Sequence, residues 1–144
     1  MLSKKKRNHA LTRFVLGESR AVLLTGVALN WAGAAKLLRE AWEERPPPRV
    51  PSDYPQLKAF TAGTAATFGT YYLYLYLREE PVLPLLVFGA ALKTWAFVLS
   101  AALRIQGRLD RANFLSFGVS NGLVAALFWA HIGREARQRA RSPV

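Results

Sequence analysis

The chain contains no cysteine in its 144 residues, which excludes disulfides, thiol catalysis and thiolate metal sites and leaves the redox compartment unreadable. Histidine is nearly absent too: His9 and His131 stand far apart, with no third ligand near either, so no metal site is expected. Acidic residues number nine against twenty lysines and arginines, and every one lies in a connection, in a terminus or near a helix end. No paired carboxylates, nucleophile and base, or phosphate-cradling glycine loop can be assembled from what remains. Where membrane enzymes usually keep Asp, Glu or His, this chain has Asn, Thr and Ser. The expectation is a protein that is not an enzyme and carries no cofactor.

Charge is also missing from four long stretches. Ala21 to Leu38 has only Lys36 near its end, Ala59 to Leu77 has none, Val82 to Leu103 has Lys93 alone, and Ala112 to Ile132 has none. Mean hydropathy is only +0.09 because the polar residues are gathered between and outside these runs. Four such runs predict an all-α integral membrane four-helix bundle with antiparallel, up-and-down spans at about 20–38, 59–77, 82–103 and 112–132. Residues 1–19 form a basic head, with a short surface helix expected from Leu11 to Leu16. Residues 133–144 form a basic tail. An uncleaved first span is preferred to a secretory signal, despite Ala32-Gly33-Ala34, because the polar leader is long and three further spans come after it.

The connection 39–58 holds Arg45-Pro46-Pro47-Pro48-Arg49, Pro51 and Pro55, a density that predicts extended chain. Helix 1 is expected to project a turn or two beyond the apolar run, through Glu40, Glu43 and Glu44. Spans 2 and 3 are joined by little more than Arg78-Glu79-Glu80-Pro81, which makes them antiparallel neighbours, and the short Arg104–Arg111 segment places span 4 beside span 3. The net charge of +11 flanks the apolar runs, with Lys4, Lys5, Lys6, Arg7 and Arg13 before the first and Arg134, Arg137, Arg139 and Arg141 after the last. That placement points to anionic lipid head groups at the termini and away from nucleic acid. Lysine and arginine are in slight excess over the termini and the 2–3 turn relative to the other two connections, which favours both termini in the cytoplasm.

Lys93 sits at the centre of Val82 to Leu103, a stretch about 33 Å long at 1.5 Å per residue. An ammonium near the bilayer midplane costs roughly 2.5–3.5 kcal/mol, which makes it a functional-site candidate. Its helical face carries Val82, Leu86, Gly89, Ser100 and Arg104, with Ala90, Ala96 and Phe97 on the shoulders and Trp95 nearly opposite. Asn30 lies at mid-depth on a face with Gly26 and Gly33, and Thr67 on one with Gly63, Thr70 and Tyr74. Ser120 aligns with Asn113, Ser116 and His131, while Asn121 lies about 100° round the helix. Lys93, Asn30, Thr67 and Ser120 or Asn121 can therefore form a polar centre that binds a ligand or partner. No carboxylate lies at the depth of Lys93. A neutral amine, snorkelling, or an anionic ligand or partner subunit would each account for it, although midspan is a poor position for snorkelling.

Gly118 and Gly122 form a Gly-x-x-x-Gly pair that permits close helix approach inside the bundle or between protomers. Gly26, Gly33, Gly63 and Gly89 are the other expected helix-packing positions. Tyr71, Tyr72, Tyr74 and Tyr76 crowd the end of span 2, where an aromatic belt at the membrane interface is expected.

Arg20 through Gly26, with Asn30 to Ala32-Gly33-Ala34-Ala35-Lys36-Leu37, resembles the first span of DoxX-like membrane proteins, four-helix proteins whose first span often ends in a small-residue turn and Lys-Leu. The resemblance implies an accessory membrane subunit, in some members tied to quinone-linked oxidoreductase complexes. Thr61, Gly63 and Thr64 stand where such a family would place a carboxylate early in span 2, so the architecture carries over and nothing catalytic does. The resulting expectation is an accessory or scaffold subunit, working with a membrane protein partner or as a homo-oligomer, that binds an apolar molecule with an anionic group at Lys93. An oligomeric transporter or pore, and a membrane enzyme acting on lipid or quinone, are the alternatives.

Overall fold

The structure, a computed structural model, describes residues 20–43, 51–80 and 82–141. The basic head with its Leu11–Leu16 segment, the proline run at 46–48, Pro81 and the last three residues of the tail lie outside the described residues. Among those described, the chain is all-helical, with four helices and no strand: α1 (Val22–Glu43), α2 (Tyr54–Leu77), α3 (Leu83–Ile105) and α4 (Arg111–Arg141). Two of them, α3 and α4, are long and apolar enough to cross a membrane.

The helices differ in extent from the apolar runs, and capping chemistry explains the difference. α2 begins at Tyr54 and α3 at Leu83, each with a proline, Pro55 or Pro84, in its first turn. A proline there forfeits no intrahelical bond and has its φ preset for helix, so Pro55 starts a helix where the sequence predicted extended chain. α1 runs to Glu43. Its added turn is held by ion pairs: Lys36 and Lys58 both reach the Glu40 carboxylate, at 3.6 and 2.9 Å, and Arg39 faces Glu43 at 3.8 Å. α4 continues to Arg141, nine residues past the apolar run, so the first part of the expected tail is helix.

Between α3 and α4, Gly107 takes φ +69°. Arg108 N–H donates to Leu103 O at 2.9 Å and Gly107 N–H to Arg104 O at 3.1 Å, a Schellman closure that needs a left-handed residue after the helix. Three residues on, the Asp110 carboxylate accepts from Asn113 N–H at 2.9 Å and so caps α4.

α1 pairs with α2 in opposite directions. Arg20 donates to the carbonyls of Tyr76 and Glu79 at one end, Trp31 lies on Gly69 in the middle, and Lys58 meets Glu40 at the other end. α3 and α4 pair in the same antiparallel sense, with Gly118 against Ser100 and Gly122 against Phe97. α2 and α3 do meet, as their short turn predicts, but they do so through tyrosines: Tyr71 and Tyr72 hydroxyls donate to Leu85 O and Gly89 O at 2.6 and 3.2 Å. The closer backbone approaches are within the α1–α2 and α3–α4 pairs. One core, including Leu23, Val27, Tyr72, Leu75, Leu86 and Phe128, draws on all four helices.

The Glu40 pairing carries a pH signature. Its hydrogen bond from Lys58 holds the Glu40 carboxyl below its ordinary value of 4.5. A depressed carboxyl contributes stability that is fully present above the unfolded-state value and is lost as pH falls through the native one. The thermal midpoint of the parent should therefore drop on acidification below about 4.5. In Glu40→Gln that component should be missing, so the two midpoints converge in acid. Parallel curves from neutral to acid pH would rule the pairing out as a stabilising contact.

Candidate functional site

Lys93 is buried in the middle of α3, 4% exposed, together with Leu86, Gly89, Ala90 and Ser100. These are the residues its helical face predicts; Arg104 at the end of the same face is exposed, and Trp95 on the far side is 62% exposed. The Lys93 ammonium donates to Asn30 Oδ1 from α1 and, at 2.9 Å, to Asn121 Oδ1 from α4. It also stands over the ring of Tyr72 from α2, 5.6 Å from the centroid. Two amide oxygens and an aromatic face, one group from each of the other helices, therefore surround the cation. An amide oxygen is the negative end of a strong dipole and the face of an aromatic ring carries a negative quadrupole. The groups around the ammonium are thus neutral and come from within the chain.

Two of these neighbours are themselves held, Tyr72 by its hydroxyl on Gly89 O and Asn121 by its amide. Asn121 spends its Nδ2 on Phe117 O at 2.7 Å, which leaves Oδ1 turned to Lys93. That carbonyl belongs to a π-helical turn, Phe114–Val119, near the start of α4. A π-turn inserts one extra residue and so rotates the later part of the helix out of phase with the earlier part. Beyond the turn, Asn121, Val124, Ala125, Phe128 and Ile132 form the buried stripe. Asn113 before it and Ser116 within it stay exposed. This phase shift explains why Ser120 does not join the centre: it is half-buried, and its hydroxyl returns to the carbonyls of Ser116 and Phe117.

Thr67 does not join either. It lies exposed on the outer side of α2 with its hydroxyl on Gly63 O at 2.9 Å, because the register that seats Gly69 on Trp31 and turns Tyr72 inward leaves Thr67 facing out. With Phe60, Gly63, Thr64 and Phe68 it lines a shallow cavity of about 370 Å³. His131 is buried on α4, 2% exposed.

Sequence reasoning missed Tyr72, which it assigned to an interfacial belt. Its ring is fully buried and packs edge-to-face on Phe128 at 5.0 Å. Two glycines make room for it: a Cβ on Gly26 would lie 2.9 Å from Tyr72 Cδ2, and one on Gly89 2.7 Å from Tyr72 Cε1. Of its three neighbours, Tyr71 and Tyr76 are half-buried, and Tyr74 is 49% exposed with Arg78 over its ring. The expected packing glycines divide in the same way. Gly26, Gly89, Gly118 and Gly122 meet neighbouring side chains, whereas Gly33 and Gly63 face open space. Gly118 and Gly122 both pack on α3 within the chain. Gly69, which sequence reasoning passed over, is closely covered by Trp31.

No family model, curated protein or solved structure matches this chain.

Proposed function

We propose that the chain is a multi-pass integral membrane protein in which α1 to α4 form an up-and-down four-helix bundle acting as an accessory or scaffold subunit. One observation carries this reading: polarity is inverted across the helices. Asn30, Lys93, Ser100, Asn121 and His131 are buried, while Trp31, Phe60, Phe88, Trp95 and Leu123 are between 45% and 74% exposed. In water, the exposed set is an aggregation hazard and the buried set a desolvation cost. In hydrocarbon, large apolar side chains face lipid and polar groups turn inward to one another. α1 and α2 carry more Thr and Tyr than α3 and α4, and several of those hydroxyls donate to main-chain carbonyls. The threonines at 61, 64, 67 and 70 each donate to the carbonyl four residues back, which makes them compatible with an outward, lipid-facing position.

The Lys93 centre then works as an interior tie that fixes the relative depth of three helices. Its enclosure favours the scaffold half of the reading over a ligand held at Lys93, since the ammonium already donates to Asn30 and Asn121. An accessory role is also what the DoxX-like pattern in α1 implies, with anionic lipid at the termini and a membrane protein partner or second copy alongside. Both termini lie in the cytoplasm on this reading.

The native absence of cysteine makes the topology directly testable. Single cysteines at Glu80→Cys and Gln106→Cys should be labelled by a membrane-impermeant maleimide from opposite sides of the membrane, with Glu80→Cys on the cytoplasmic side. Labelling of both from one side sinks the four-span arrangement. For the accessory role, purification in mild detergent should retain a membrane protein in stoichiometric amount. Solute flux in vesicles containing the purified chain alone would instead favour a pore.

A further inference from the structure

We infer that the α3–α4 turn is a docking surface for anionic lipid head groups, on the end of the molecule opposite the termini; this rests on the proposal that the chain spans a membrane. The turn carries Arg104, Arg108 and Arg111, all exposed. Among the described residues none of the three guanidinium groups has an ion pair, whereas Lys36, Lys58 and Arg39 at the ends of α1 and α2 are matched by Glu40 and Glu43. The one carboxylate in the turn, Asp110, is committed to the first turn of α4, where it accepts from both the backbone N–H and the side-chain amide of Asn113.

The backbone is committed as well. The Schellman closure at Gly107 and the Asp110 cap hold the turn between the two helices that are long and apolar enough to span a membrane. Ile105, beside Arg104, is 87% exposed. A large apolar side chain at a span end, flanked by uncompensated arginines, suits the boundary where hydrocarbon gives way to phosphate. The guanidinium fork matches phosphate oxygens in two-point contact, and the apolar neighbour selects a phosphate attached to lipid over one free in water.

The full chain in vesicles tests this by quenching of its native tryptophans when either phosphatidylglycerol or phosphatidylcholine carries brominated chains. The parent should prefer phosphatidylglycerol, with the preference weakening as salt rises. Arg104→Gln, Arg108→Gln and Arg111→Gln should each lower it by up to about fivefold, the equivalent of one basic residue near an anionic surface. The triple variant should lower it further than any single change, while Arg39→Gln with Glu43→Gln, an exposed matched pair at the same end of the molecule, leaves it unchanged. All three turn positions are exposed, so the thermal midpoint in neutral detergent should stay at the parental value. A triple variant with undiminished preference overturns the inference, as does abolition of the preference by inorganic phosphate at matched charge. Alkaline carbonate separates this from the reading beneath it: extraction of the chain overturns both, whereas retention with an unchanged lipid preference overturns the docking surface alone.

Discussion

Asn30→Leu should be among the most destabilising single substitutions in the molecule, costing about 2–3 kcal/mol, and more than Lys93→Met. The ordering comes from the groups that each change leaves unpaired. Losing Asn30 strips the buried Lys93 ammonium of one of its two oxygen partners. Hydrogen bonds to charged groups are worth about 1.5–3 kcal/mol, and breaking a buried ion pair outright costs about 3–5 kcal/mol. The remaining amide and the Tyr72 face keep the expected figure below that upper range. Asn121→Leu should behave similarly and also releases Phe117 O. Lys93→Met removes the charge itself, recovering on the proposed membrane reading a midplane cost of roughly 2.5–3.5 kcal/mol, but leaves two amide oxygens short of a donor at about 1–3 kcal/mol each. The two terms nearly cancel. The triple variant Asn30→Leu, Lys93→Met, Asn121→Leu should match or exceed the parent, because an apolar replacement of a satisfied buried polar group is often neutral or stabilising. Thermal midpoints in neutral detergent, combined as a mutant cycle, read the ordering directly. An Asn30→Leu midpoint equal to the parent's would falsify the interior tie, and a folded triple variant that fails to retain a membrane protein retained by the parent would move the site from scaffold to recognition.

Gly26→Leu should be comparably damaging, and Gly63→Ala close to neutral. A Cβ at Gly26 would sit 2.6 Å from Phe128 Cζ and 2.9 Å from Tyr72 Cδ2. Neither ring has anywhere to go: both are buried, they pack on each other, and the far edge of Tyr72 lies on Gly89. Overpacking by a single methyl typically costs about 1–3 kcal/mol, and leucine adds more atoms in the same place. Gly63 faces open space on the outside of α2, where alanine gains up to about 1 kcal/mol of helix propensity in an aqueous reference. The contrast separates packing from composition, since both glycines lie inside helices. Equal midpoints for Gly26→Ala and Gly63→Ala would show that the close approach of α1 to Tyr72 and Phe128 contributes nothing.

Long apolar stretches made the helices legible, and so did the buried face of α3. Lys93, Leu86, Gly89 and Ser100 share one side of an ordinary helix, and a helical wheel locates them without any knowledge of neighbours. Asn30 was legible for the same reason. Choosing between Ser120 and Asn121 was not, because a helical wheel assumes an unbroken 3.6-residue period and the π-turn at Phe114–Val119 interrupts it. Thr67 and Tyr72 were misplaced for another reason. α2 is apolar nearly all round and rich in threonine and tyrosine, so no single face stands out, and its inward side is chosen by the register with Trp31 and by the gaps at Gly26 and Gly89. The start of α2 was misjudged because proline density was read in place of capping: Pro55 starts a helix. The projecting last turn of α1 was legible from its glutamates, and ion pairs hold it.

The arrangement around Lys93 also imposes an order on biogenesis. Its two amide partners arrive at opposite times: Asn30 is synthesised 63 residues before it and Asn121 28 residues after. On the membrane reading, α3 alone would reach the bilayer with a bare ammonium at its centre. α1 and α2 supply two of the three groups of the cage at that moment, Asn30 and Tyr72, and only the emergence of α4 completes it. A ribosome-bound chain that ends before α4 should therefore stay engaged with the insertion machinery, and the Lys93→Met version should be released into lipid earlier.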